Sequence, residues 1–414
     1  MNRFKKVISL LITLTLFVAT LSGCSVPEKA VYDAMLKSAD ITSMEQEVHF
    51  SWNVEASGLS LEEQEQMNQT LAMINGSDLT FKQAVIASED GQKSKAQMDV
   101  VFNMGGTLTN VGLWVDVDMT ENANKIYEII QVPPMMTYYL PEEYMGKEYI
   151  VFDFDDMETF MSDQDLGTFQ FNEMMQSSQV LSEKAQDFVT AYIKEFNFKR
   201  DLVTYKGTEK VENDTLQIYE VKLDDETTKE LLHYTLLSLI NSEATDEFMK
   251  DYFKSVDDMM LSMGMEEDLQ GEFTGESLYN DFISEKETLK MDIHKLFADI
   301  SDIQIVGDEG IIVELKINDE GYLVGTTTNI HLSIDPNAFN EQYGYTASMY
   351  DIQEPTFDIK LAIDSVITNI NEDIEITFPT VTEENSFNYF DFITSQLTPY
   401  YAPETEYENI NLNQ

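Results

Sequence analysis

Carboxylates are the one chemically capable side chain this chain holds in abundance. They cluster as "DVD" at 116–118, "DFDDME" at 153–158, "DDE" at 224–226 and "SVDDMM" around Asp257-Asp258. Two carboxylates in a cleft can divide acid and base duties, and several oxygen ligands at short spacing can hold a hard cation. "DVDMTENAN" does not satisfy the EF-hand spacing, so Asp116, Asp118 and Asn122 are the weak metal candidates, in some other geometry. Strand alternation sends Asp116, Asp118, Asp153 and Asp155 to one wet face, where acids are expected without any function. The four histidines, His49, His233, His294 and His331, show no paired spacing of a zinc site. Gly-x-Ser-x-Gly, Ser-x-x-Lys, GxGxxG and Walker patterns are missing. No catalytic residue is assigned, no metal or cofactor is expected, and the chain reads as a non-enzyme.

Methionine suggests a different chemistry. There are 22, and a helical stripe over 246–263 carries Phe248, Tyr252, Met259, Met260 and Met263. Unbranched, polarizable thioethers line adaptable apolar surfaces, and they also fill ordinary cores. These five residues are the candidate contacts for an apolar ligand. "VPPMMTYYLPEEYMG" (132–146) mixes Pro, Met and Tyr in a loop suited to a cavity rim or a partner contact.

The elements that would position such a site are mainly strands. "EVHFSWNVE" puts Val48, Phe50, Trp52 and Val54 on one face, and period-two alternation recurs at 98–104, 113–119, 150–154, 313–317, 330–334, 357–363 and 374–378. Asp90-Gly91, "GDEG" (307–310) and Glu320-Gly321 supply turn signals. Helical spacing appears after residue 29, over 180–196 and over 246–263. Capping boxes are expected at Ser60–Glu63 and at Thr227–Glu230. The order predicts an α+β fold: a large curved, half-barrel-like antiparallel β-sheet with helices packed on one face. The expected organisation is one such domain over 29–380, with two lobes hinged near 160–200 as an alternative, and an extension over 381–414. Within that extension Ser386–Leu397 reads as a helix or a strand.

With 25 Lys+Arg against 76 Asp+Glu, the net charge is −51. Such a surface repels phosphate backbones and anionic headgroups, which excludes nucleic-acid binding and keeps the body off a lipid surface unless it is anchored. A hydrophobic content of 43% and an aromatic content of 11% exclude a disordered acidic tail.

The anchor is legible at the other end of the chain. "MNRFKK" is cationic, and an uncharged apolar run follows from Val7 to Leu21, shorter than the about 20 residues a bilayer span needs. Leu21-Ser22-Gly23-Cys24 comes next, and Cys24 is the single cysteine. The segment resembles the lipobox of bacterial lipoproteins. The resemblance implies a leader cleaved after residue 23 and a covalent diacylglycerol on Cys24, with 24–28 as a short acylated tether. It places the protein at the outer face of the cytoplasmic membrane, in the bacterial cell envelope. Beyond the leader, "AVYDAMLKSADITSMEQEVHFSWNV", "LQIYEVKLDDETTKELL" and "IIVELKINDEGYLVGTTTNIHLSI" are similar in pattern to the LolA/LppX-like lipoproteins, in which a half-barrel encloses acyl chains. That likeness carries no single binding residue across, and this chain is longer than the family's usual length. It implies non-catalytic binding of a lipid-like apolar ligand; the alternative is an interaction or structural module with a filled core that holds an envelope protein. Cys24→Ser is expected to move the body from the membrane to the soluble fraction, and a variant that still sediments with membranes would refute the anchor.

Overall fold

The computed structural model describes residues 25–397 except 121–124, 155, 158–159, 161–170, 212–213, 263–273 and 344–353. Six strands occupy the first part of the chain: β1 (Ser43–Ser57), β2 (Asp78–Ala87), β3 (Lys93–Met104), β4 (Thr107–Asp118), β5 (Lys125–Gln131) and β6 (Tyr149–Asp153). Five more follow, β7 (Val203–Val211), β8 (Asp214–Leu223), β9 (Val306–Ile317), β10 (Leu323–Ile334) and β11 (Thr356–Thr368), and β12 (Ser386–Asn388) ends the series. The helices are α1 (Val26–Ser38), α2 (Leu61–Asn75), α3 (Phe171–Glu195), α4 (Asp225–Asn241), α5 (Glu243–Ser262), α6 (Gly275–Asp299), α7 (Pro336–Tyr343) and α8 (Tyr389–Leu397). All twelve strands form one open, curved sheet, so the α+β, half-barrel-like expectation holds.

The sheet is two meanders joined at their seams. Its order is β12-β6-β5-β4-β3-β2-β1-β11-β10-β9-β8-β7. Chain neighbours pair antiparallel within β1–β6 and within β7–β11, and β1 pairs with β11 from Glu45↔Thr368 to Ser57↔Thr356. Among the described strands only the short β12 runs parallel to its neighbour, β6. Gly91 (φ 69°) and Gly321 (φ 86°) adopt the left-handed conformation that their turns require. "GDEG" is not a turn: residues 307–310 are strand residues of β9, and Gly310 takes a φ of 78° there. Residues 374–378 alternate as expected but join no ladder. The Lys95 ammonium lies 5.9 Å over the Phe378 ring of this segment.

Helices lie on one face. β8 and β9 contribute Tyr219, Val221, Leu223, Leu315 and Ile317 to the main core, which is roofed by Val31 and Ala34 of α1, Phe188 and Tyr192 of α3, and Leu231 and Leu239 of α4. The expected Ser60–Glu63 box caps α2. The second box is corrected: the cap of α4 is Asp224, three residues before Thr227, and its Oδ1 accepts the Thr227 N–H at 2.8 Å. Aspartate outcompetes the expected threonine because its ionised oxygen suits both the open N–H groups and the helix dipole.

Residues 25–28 of the stretch expected as a tether are already structured. Ser25 caps α1 in a full capping box with Glu28, so Val26–Glu28 form the first turn of that helix. Glu28 is 1% exposed. Its carboxylate accepts from the Ser25 hydroxyl (2.8 Å) and amide (3.2 Å), and from the Leu202 amide (3.0 Å) just before β7. Glu28→Ala leaves the buried Leu202 N–H without an acceptor and is expected to cost about 1–3 kcal/mol. Glu28→Gln, which keeps a carbonyl oxygen, should lose clearly less. Urea unfolding of the two variants measures the difference.

Candidate functional site

Cross-strand partners share a face, so the register traces rows of side chains across the sheet. On the helix-bearing face one row reads Val221, Val313, Thr328, Ile363, Phe50, Leu79 and Phe102. The next reads Tyr219, Leu315, Thr326, Ser365, Val48, Phe81, Val100 and Val111. Both rows begin buried under helices. From β11 onward their apolar members are half-exposed, and Trp52, Leu361, Met98 and Leu113 on the same face are half-exposed too.

This stretch is walled on both sides. One wall is the α1–α3–α4 roof over β8 and β9. The other stands at the β6 edge, where α8 lays Tyr389 against Phe152 (4.3 Å between ring centroids) and Phe390 against Phe154 (6.5 Å). Tyr144 and Phe392 extend that wall around Phe387. Between the walls β11 and β1–β5 form an apolar trough about 24 Å wide, at about 4.8 Å per strand spacing. Phe50 and Phe81 meet edge to face at 5.7 Å in its floor. The Trp52 indole donates to the Ile74 carbonyl at 2.8 Å, which ties α2 to the rim. A polar chain also crosses this face, Gln83 donating to Gln46 at 2.5 Å and Gln46 to Ser365 at 2.9 Å.

The opposite face holds a second concavity, of about 430 Å³, lined by Ser51, Asn53, Asn329, His331, Lys360 and Glu309 among others. Its histidine and charged groups are committed to one another or to Asp358. His331 Nδ1 accepts the Glu309 N–H at 3.2 Å, which puts the proton on Nε2, and Nε2 donates to Asp358 Oδ2 at 2.7 Å. Lys360 pairs with Glu309. With both ring nitrogens engaged, His331 has none left to serve as a base. The apolar trough is therefore the stronger candidate, although it is less enclosed.

The residues singled out in the sequence go to other places. Phe248 of α5 stacks on Phe188 (4.9 Å) at the margin of the core, and Tyr252 lies 6.2 Å from Phe248. Met259 is exposed and Met260 half-buried on the same helix, and Met263 lies outside the described residues. The stripe thus joins α5 to α3, while the trough floor is built by strand residues. Asp118 accepts from Lys93 (2.8 Å) and Thr120 (2.6 Å), and these bonds hold its carboxyl at a pKa of about 2. Asp116 pairs with Lys125 at 3.3 Å. Lysines thus neighbour both metal candidates; Asn122, like Cys24, lies outside the described residues. Among the described residues no three His, Cys, Asp or Glu converge on a metal position. Two other acidic clusters act as backbone acceptors. Asp225 Oδ1 takes the Ile305 and Val306 amides, both at 2.8 Å, and Asp257 takes the Gly275 amide at 2.7 Å. In the 132–146 loop Tyr138 and Tyr139 are 84% and 87% exposed, whereas Leu140 is buried in the α8 wall.

Comparison with protein-family models and with curated proteins gives no match. No described helix is long and apolar enough to cross a membrane.

One arrangement was not legible from spacing: His233 of α4 and His294 of α6 share a hydrogen bond at 3.0 Å between Nε2 and Nδ1. Burial, and then His294, lower the His233 pKa, so the folded chain protonates there less readily than the unfolded chain, whose value is about 6.5. The native state therefore loses stability as pH falls through that value toward the lower folded one. His233→Gln is expected to flatten this part of the profile, read as a smaller drop in Tm between about pH 7 and 5.

Proposed function

We propose that this chain is a lipid-anchored extracytoplasmic protein that holds a lipid-like apolar ligand in the trough without transforming it. The observation that carries the proposal is the half-exposed apolar floor of β11 and β1–β5 between two helical walls. A face this long and apolar, left without a described cover in a chain of charge −51, has a use that outweighs its aggregation hazard. Partial exposure of each floor side chain leaves apolar area for a ligand to bury, at about 25 cal/mol per Å². The lipobox at Cys24 and the LolA/LppX-like strand pattern support the same reading. On this reading the trough stands at the outer face of the cytoplasmic membrane, within reach of lipid.

A second reading rests on the exposed Met135, Met136, Tyr138 and Tyr139 of the β5–β6 loop, which would suit an envelope protein as partner, since tyrosine and methionine are favoured at interfaces. The two separate in native mass spectrometry of the body from residue 25 onward, with organic extraction alongside. Ligand binding predicts a co-purifying lipid at near-stoichiometric load, lost in Phe50→Glu/Phe81→Glu with an unchanged far-UV CD spectrum. A bare mass, together with no uptake of an apolar fluorescent probe, would reject the trough and favour the loop.

A further inference from the structure

Glu128 breaks the pattern of the trough. It stands in the middle of β5 with its cross-strand partners Val115 and Phe152, and Ile126 and Ile130 flank it on the same face. In the described parts of β1–β6, β10 and β11 the register puts only this one charged side chain on the helix-bearing face. Every other acid of these strands points to the opposite face, where lysines meet several of them, as Lys82 meets Glu47 and Lys93 meets Asp118. Every Lys and Arg after Lys6 lies among the described residues, and none forms an ion pair with Glu128. Burial alone pushes its carboxyl above the ordinary range, which is the signature of a carboxylate set into apolar surroundings without a counter-charge.

We propose that Glu128 receives the cationic headgroup of the trough's ligand, so that the ligand class is a long-chain amphiphile ending in an ammonium group. This rests on the trough being a ligand site. The alkyl chain would lie across Leu113, Met98, Phe81 and Phe50, and the ammonium would supply the counter-charge that the protein does not. The complementarity also works by exclusion. With no Lys or Arg on this face of the floor strands, a carboxylate or phosphate headgroup finds no cation there and meets the charge of Glu128. A partly desolvated ion pair with an added N–H···O bond is stronger than an exposed one, so the headgroup contributes selectivity in addition to the apolar contact.

The test is photolabelling of the full chain in nanodiscs of phosphatidylglycerol, a lipid that carries no amine. The probes are three diazirine-bearing chains of equal length ending in an amine, an alcohol or a carboxylate, with labelled peptides mapped by mass spectrometry. The expected result is labelling of β1–β5 by the amine about tenfold above the alcohol, with the carboxylate weakest. Glu128→Gln, which keeps size and polarity, should erase the gap between amine and alcohol and leave alcohol labelling unchanged. Equal labelling by amine and alcohol in the parent chain, or a gap that survives Glu128→Gln, overturns the headgroup assignment while the trough stands. No labelling of these strands by any probe rejects the trough and the headgroup assignment with it.

Discussion

Everything in this fold hangs on the pairing of β1 with β11. Glu45 to Ser57 must find Thr368 to Thr356 across some three hundred residues of chain, and until they do there are two meanders and no common floor. Each meander has mostly local pairing; the seam between them is the long-range contact with the large loop-closure cost. Its length offsets that cost. The paired rows carry Phe50 with Ile363, Trp52 with Leu361 and Val54 with Ile359, so the register is fixed by an apolar face that a one-residue slip would turn to the other side. With a single cysteine in the chain, no internal disulfide can assist. The turn after β11 adds a local lock, where the Asn371 carboxamide accepts from the Thr42 amide at 2.8 Å and the Ser43 hydroxyl donates to the Glu372 carbonyl at 2.7 Å.

The two halves share a sheet but not a stability mechanism. At β8 and β9 the apolar face is roofed and buried, with Leu231 and Val221 almost wholly inaccessible. From β11 to β4 the same face is half-exposed, and cohesion rests on the ladders, on side-by-side contacts such as Phe50 with Phe81, and on ion pairs across the opposite face. Those exposed pairs contribute little each. The roofed half therefore holds the fold, and the open half is left available. This division suits a binding surface, because a face packed as tightly as the β8–β9 core could take in nothing.

Much of this was legible in the sequence, for a definite reason. Period-two patterning reports face directly, so Val48, Phe50, Trp52 and Val54 declared a dry side before any partner was known. Partner choice is not local, and neither were the walls. α6 was not expected, although Thr274 caps it. α8 and β12 share the short stretch read as helix or strand, and it proved to be both. The methionines pointed to α5, but a Met stripe at helical spacing serves helix–helix packing as readily as a pocket, and Phe248 is engaged by Phe188. The acidic clusters, read as a solvated face, show a further role only in the fold: backbone amides of neighbouring elements use Asp224, Asp225 and Asp257 as acceptors, which no spacing rule reveals.

Charge placement joins these strands of the structure. A chain with three acids for every base has little choice about carrying carboxylates, yet the strands of the trough put almost all of theirs on the face away from it. Alternation alone accounts for that sorting, since an acid on the apolar face costs desolvation without return. The same rule makes Glu128 informative. Its position in β5 lies beside Val115 and Phe152, where Thr, Ile or Val would be less costly and more strand-forming. A residue that opposes the local pattern, without a neighbour that compensates it, marks the point where folding preference yields to something outside the chain. On an otherwise uncharged apolar floor, a cation carried in by the ligand is the compensation that physical chemistry supplies.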